Sequence, residues 1–212
     1  MNVADNLHRI RADIERAGRD PGEITIVAVT KGFGADTCRA ALSAGLTILG
    51  ENRVQEALAK MAEVPAATWH LIGHLQTNKA KVAADRFALI QTLDSMRLAE
   101  ALALHNSYQQ VLVEVNVARE PQKSGVAPER AVDLIAGASR LLDVKGLMAM
   151  GPSHGDPTPA FEELRRVRDH AQERLGKALP ILSMGMSGDY ELALRAGSTM
   201  LRLGTALFGP RP

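Results

Sequence analysis

The sequence predicts a single-domain α/β protein: a (β/α)8 TIM barrel with one extra helix in front of it. Three observations carry that reading. Eight short β-branched or apolar runs alternate with amphipathic segments between Ile24 and Gly204. Each run is apolar along nearly its whole length, as strands are in a parallel sheet buried on both faces. No glycine-rich loop follows the first run, which counts against the open doubly wound sheet, the other fold with this alternation.

In chain order, residues 2–17 place Val3, Leu7, Ile10 and Ile14 at helical spacing with charges between them, and Gly18 and Pro21 end the segment. ITIVAVT (24–30) is the first strand, with a helix over 35–44 and Gly45 as its stop. LTILG (46–50) is the second, followed by a helix over 54–62. WHLIG (69–73) and FALIQTL (87–93) are the third and fourth, each with a helical segment behind it. QVLVEVNV (110–117) is the fifth, after which Pro128 opens a helix at a position where a missing N–H costs nothing. DVKGLMAM (143–150) precedes a helix over 159–175, and PILSMG (180–185) a short one over 190–196. STMLRLG (198–204) completes the eight. No composition shift or linker interrupts residues 1–212, so one domain is expected over the whole chain.

Composition narrows the function classes. A hydrophobic content of 46% over 212 residues suits one ordinary globular core. A formal charge of +1 gives no general affinity for nucleic acid or membranes, and Lys79, Lys81 and Arg86 read as a solvated helix face. Cys38 stands alone, so neither an intrachain disulfide nor a cysteine metal cluster is available. The first residues lack the apolar core of a signal peptide and no window is long enough to span a bilayer, so a cytoplasmic location is expected.

In such a barrel, function sits at the C-terminal ends of the strands. That rule selects Lys31, Asn52, His74, Asn116, Met150, Ser187, Gly204 and Thr205. Lys31 suits a Schiff-base nucleophile, its amine made reactive by desolvation, and it suits a surface turn lysine equally well. Ser187 and Gly188 precede a short helix, and Gly204 and Thr205 follow the last strand. Loops seven and eight are the recurrent phosphate site of these barrels, although Ser187 or Asp189 could instead cap the helix. Arg202 lies inside an apolar strand, where it needs either a ligand or an ion pair with Glu114 or Asp94. Asn52 suits a helix cap or a ligand contact. His70 and His74 have no carboxylate at ligand spacing, so no metal site is expected, and His70 reads as a satisfied barrel residue.

Six segments, in order, resemble the pyridoxal phosphate homeostasis protein family: VAVTKG, GENRVQE, WHLIGHLQTNK, VEVNVAREPQKSG, VKGLMAM and SMGMSGDYELALRAGSTMLRLGTALFG. Gly188 and the compact Ser153–Pro159 loop are the minor departures. The resemblance implies a barrel similar to the N-terminal domain of alanine racemase, with pyridoxal 5′-phosphate (PLP) held on Lys31 as an imine. It places Ser187, Gly204 and Thr205 at the phosphate, Arg202 at the pyridine nitrogen and Asn52 near the ring. A permanent cation at that nitrogen disfavours its protonation and weakens the ring as an electron sink.

The expected function is therefore binding and homeostasis: holding PLP on Lys31 and exchanging it with the cellular pool. The implied partners are PLP, amino acids and, transiently, PLP-dependent apo-enzymes, with the chain itself acting as a monomer. The competing reading is a PLP-dependent amino-acid racemase, which needs acid–base groups on both faces of the ring. In racemases of this kind the second is a tyrosine from an additional β domain and a partner subunit. Tyr108 and Tyr190 are poorly placed for it. A cofactor-free phosphate-sugar enzyme is the third reading, and the Lys31 segment argues against it.

Overall fold

A computed structural model describes residues 2–211; the expected domain limits, Met1 and Pro212, lie outside the described residues. The order is α1 (Val3–Arg16), β1 (Thr25–Val29), α2 (Ala35–Ser43), β2 (Ile48–Glu51), α3 (Val54–Glu63), β3 (Thr68–Leu71), α4 (Ala80–Arg86) and β4 (Leu89–Leu93). It continues with α5 (Met96–Ala103), β5 (Gln110–Glu114), α6 (Pro128–Ala138), β6 (Asp143–Met148), α7 (Thr158–Leu175), β7 (Ile181–Ser183), α8 (Tyr190–Arg195), β8 (Met200–Leu203) and α9 (Thr205–Phe208). Short 3-10 turns cover Pro21–Glu23 and Thr77–Lys79. The eight strands pair in sequential order and β8 closes onto β1, all in parallel. This is the (β/α)8 barrel that the alternation predicts. Among the described residues, no helix is long and apolar enough to cross a membrane.

Two apolar layers hold it together. The larger fills the shell between barrel and helices, where Ile10, Ile14, Leu49, Leu71, Ile90 and Phe161 are fully buried. The smaller comprises Val27, Leu89, Leu112, Met148 and Met200, one from each of five strands. One residue per strand is what inward-pointing positions of a small closed barrel supply. At the top of the barrel the strands crowd together: a Cβ on Gly73 would lie 2.3 Å from the Asn52 carbonyl oxygen. Only glycine lets the ends of β2 and β3 approach that closely.

The strand expected over 110–117 ends earlier, at Glu114. Val115 makes an isolated bridge to Val126, and Asn116 N–H donates to the Val126 carbonyl, so the chain turns back on itself. Val115 and Val117 stay buried beneath that turn, which is why the apolar alternation outlasts the ladder. Phe87, expected to open the fourth strand, instead caps α4, and β4 begins at Leu89. Helix α9, four residues long, had no signature in the sequence pattern. Helix α1 packs against it, and Asn6 Nδ2 donates to the Leu207 carbonyl at 2.8 Å. The extra N-terminal helix thus buttresses the segment that follows β8.

Candidate functional site

A cavity of about 260 Å³ opens at the C-terminal mouth of the barrel. Lys31, Asn52, Ser187, Arg202, Gly204 and Thr205 all line it, so the structure brings the six residues singled out from the sequence to one place. Met150 joins them. Val29, Phe33, Ile72, Met186, Gly188 and Arg211 complete the wall. Arg211 and Phe33 were missed because neither sits at a strand end. Phe33 belongs to the β1–α2 turn, and Arg211 to the tail after α9.

Lys31 follows β1 in a turn closed by Phe33 N–H donating to the Thr30 carbonyl, with Gly32 at φ +76°. Half-burial, then the charges of Arg211 and Arg202, hold its amine below the ordinary lysine range, against an opposing pull from Glu51. An amine so placed is more nucleophilic at neutral pH than a surface lysine.

Arg202 forms the inner wall and is 5% exposed. Its Nη1 donates to the Ser183 carbonyl and hydroxyl, both at 2.7 Å, and its Nη2 to the Ala149 carbonyl at 2.8 Å. Neither Glu114 nor Asp94 is its ion-pair partner, which corrects that alternative; among the described residues it has no carboxylate within salt-bridge range. Burial pushes its pKa down to about 10, opposed by the more distant charges of Glu114 and Asp189. A guanidinium has five N–H groups, so three bonds leave two donors for a ligand. Behind it the bonds continue in one direction: Ser183 O–H donates to Gln91 Oε1 at 2.6 Å, and Gln91 Nε2 donates to His70 Nδ1 at 3.1 Å. Burial drops His70 to a pKa of about 4, so the ring is neutral and able to accept.

The third wall joins two loops. Ser187 Oγ accepts from Ala206 N–H at 3.0 Å, which caps α9 from the loop after the neighbouring strand β7. For α8, Asp189 does hold the N-cap position, but its Oδ1 accepts from Met186 N–H and its side chain makes no cap bond to the helix. Among the described residues the backbone N–H groups of Ser187, Gly188 and Thr205 have no partner. With two hydroxyls they make a cluster of donors suited to an anion.

Asn52 is half-buried beside the cavity, and the α3 N-cap position belongs to Arg53 rather than to it. Two strand-end candidates fall elsewhere. Asn116 Nδ2 staples its own loop, donating to the carbonyls of Glu120 and Lys123. His74 pairs with Asp94 at 3.2 Å in a neighbouring surface depression. Among the described residues no cluster of His, Cys, Asp or Glu could hold a metal ion.

The barrel, the mouth lysine and the opposed donor walls define a domain of the alanine racemase N-terminal type. That family, "Alanine racemase, N-terminal domain", matches residues 2–212. The pyridoxal phosphate homeostasis protein of Aquifex aeolicus is 41% identical over 226 residues, covering 100% of this chain and 99% of the relative. That of Escherichia coli strain K12 is 36% identical over 233 residues, covering 99% and 97%. The solved structure of PipY from Synechococcus elongatus PCC7942 without PLP is 34% identical with a TM-score of 0.88, covering 98% of this chain and 100% of PipY. The same protein with PLP bound superposes at a TM-score of 0.87. Alanine racemase of Clostridium difficile 630 shares the fold at 15% identity, TM-score 0.77, over 57% of its length. The chain belongs to the pyridoxal phosphate homeostasis protein family.

Proposed function

We propose that this protein binds pyridoxal 5′-phosphate through Lys31 and serves its homeostasis, retaining the cofactor and exchanging it with the cellular pool. The observation that carries the reading is the donor set of the mouth cavity. It presents one activated amine, a buried guanidinium with unused N–H groups, and a cluster of hydroxyls and backbone N–H groups. These match, one for one, an aldehyde, a ring nitrogen with a lone pair, and a phosphate. PipY, a relative at 34% identity, was solved with PLP bound.

When bound, the cofactor supplies an aldehyde that amines capture reversibly. Lys31 is the amine that captures it here. Ser187 and Thr205, with their own and the Gly188 backbone N–H groups, hold the phosphate, and Gly204 lets the backbone come close. Arg202 donates to the pyridine nitrogen and, being a permanent cation fixed by two carbonyls, keeps a proton off it. Asn52 lies beside the ring.

The chain is a carrier rather than a racemase, and its relatives are named as homeostasis proteins. Racemisation needs proton transfer on both faces of the ring. Apart from the two arginines, Lys31 is the one titratable side chain that lines the cavity among the described residues. Tyr190, the nearer tyrosine in sequence, is turned away, its hydroxyl bonded to Asp13 on α1. The protein is proposed to work in the cytoplasm as a monomer, accepting free amino acids at the same site and meeting PLP-dependent apo-enzymes transiently.

The test is borohydride reduction of the purified protein after loading with PLP, followed by peptide mass mapping. The adduct is expected on Lys31 and is expected to vanish, with the visible absorption band, in Lys31→Ala. An adduct on another lysine overturns the assignment.

A further inference from the structure

Lys31 sits between two residues, Thr30 and Gly32, that are bonded from behind to a charged cluster outside the cavity. Gly50 and Asn52 face the barrel interior, so Glu51 between them faces the helical shell, where it is fully buried. Lys60 reaches the same spot from α3, 6% exposed. Its Nζ donates to the Thr30 carbonyl at 2.7 Å, to Glu51 Oε1 at 2.7 Å and to Glu56 Oε1 at 2.9 Å. An ammonium has three N–H groups, so every one is used. Thr30 O–H donates to Glu51 Oε1 at 2.6 Å, and Glu56 Oε1 also accepts Gly32 N–H at 2.8 Å. Thr30 and Gly32, the two neighbours of Lys31, are thereby both tied to one cluster.

The investment is unusual for a turn. Burying an ion pair is costly unless its geometry is nearly complete, and here Glu51 Oε2 remains buried without a partner. A plain βα connection could be closed by backbone bonds alone, as Phe33 N–H to Thr30 already does. We propose that Lys60, Glu51 and Glu56 form a positioning cluster that fixes Thr30 and Gly32 and so aims the Lys31 amine into the cavity. The inference rests on the reading of Lys31 as the lysine that takes the cofactor.

The charged groups around Lys31 are Arg202 from β8, Arg211 from the tail and Glu51 from β2. Burial and the two arginines favour the neutral amine, and Glu51 opposes them. A loosened frame lets the amine spend more time in water and away from the arginines, so its titration midpoint rises toward that of an ordinary lysine.

Two measurements on the full chain without cofactor read this directly: hydrogen exchange of the Gly32 amide, and competitive acetylation of Lys31 against pH, followed by peptide mass. Glu56 is only partly buried, so its variants are expected to fold. Glu56→Ala is expected to speed Gly32 exchange roughly tenfold or more and to raise the Lys31 midpoint. Glu56→Gln keeps a side-chain carbonyl for Gly32 and Lys60 and is expected to restore most of both. The double variant Lys60→Met with Glu51→Gln removes the buried pair together, and with it the bond to the Thr30 carbonyl, and is expected to speed Gly32 exchange as well. Unchanged exchange and midpoint in Glu56→Ala, no rescue by glutamine, or unchanged Gly32 exchange in the folded double variant would each overturn the proposal. Failure of the cofactor reading shows separately, as a borohydride adduct on a lysine other than Lys31.

Discussion

Removing the hydroxyls of Ser187 and Thr205 together tests whether the joined loops grip a phosphate or only hold each other. Ser187 Oγ spends a lone pair on Ala206 N–H at 3.0 Å and keeps its own proton for the cavity. Thr205 is exposed at the mouth, with no bond from its hydroxyl among the described residues. A hydrogen bond to a charged group contributes about 1.5–3 kcal/mol. Two of them amount to about 3–6 kcal/mol, a loss of ~10²- to 10⁴-fold in affinity for PLP in Ser187→Ala/Thr205→Ala. The lost cap on α9 should lower stability by only about 1 kcal/mol. Pyridoxal, which has the same aldehyde and ring but no phosphate, should change by less than about threefold. Equilibrium dialysis of both ligands against wild type and variant, read by absorbance, supplies the comparison. Equal weakening for the two ligands would mean that the hydroxyls support the loops rather than the phosphate, and the reasoning would fail.

Two further outcomes follow from the electrostatics of the barrel. Burial, then Asp94, raise Glu114 from an ordinary 4.5 to about 7, with Arg202 opposing. At that site the native state binds more protons than the unfolded chain between those values, so Glu114 alone lowers stability by about 3 kcal/mol as pH climbs through the window, while His70, held neutral with a pKa of about 4, acts in the opposite sense over much of the same range. Glu114→Gln removes only the Glu114 part, so in urea denaturation its stability should rise from about pH 5 to about pH 8 relative to that of the wild type; the same pH dependence in both proteins would refute the assignment. With Lys31 the one amine lining the cavity among the described residues, the purified protein should capture amino acids yet racemise them far more slowly than roughly 1 s⁻¹, a modest enzymatic rate. Chiral chromatography of an incubated single enantiomer decides it, and turnover at that rate would promote the racemase reading.

The barrel was legible because buried parallel strands announce themselves as unbroken apolar runs, and the mouth residues followed from strand ends. Lys31, Asn52, Ser187, Gly204 and Thr205 needed only that rule, and Arg202 only its incongruity within MLRLG. The rule over-selects, however: Asn116 and His74 also stand at strand ends, and each is occupied by its own loop or by Asp94. It also under-selects, because Arg211 reaches the cavity through tertiary folding of a tail that carries no periodic signal. The cluster behind Lys31 was hidden for a different reason. Glu56 and Lys60 show as an ordinary i,i+4 pair, a pattern usually found on solvated helix faces, and nothing in the spacing reveals that Lys60 is buried against Glu51.

The line of bonds from Arg202 through Ser183 and Gln91 to His70 has a polarity, and it limits what this barrel could become. Every group on it gives a hydrogen toward the next, ending on a neutral imidazole. A carboxylate substituted at residue 202 would point its lone pairs at two carbonyls and at a hydroxyl already committed to Gln91. Converting the carrier into a catalyst by charge reversal at that single residue would therefore reverse a whole column of donors and acceptors down the barrel axis. The route from homeostasis protein to proton-transfer enzyme runs through a coordinated set of substitutions, each unfavourable alone, and this insulates the present chemistry against drift.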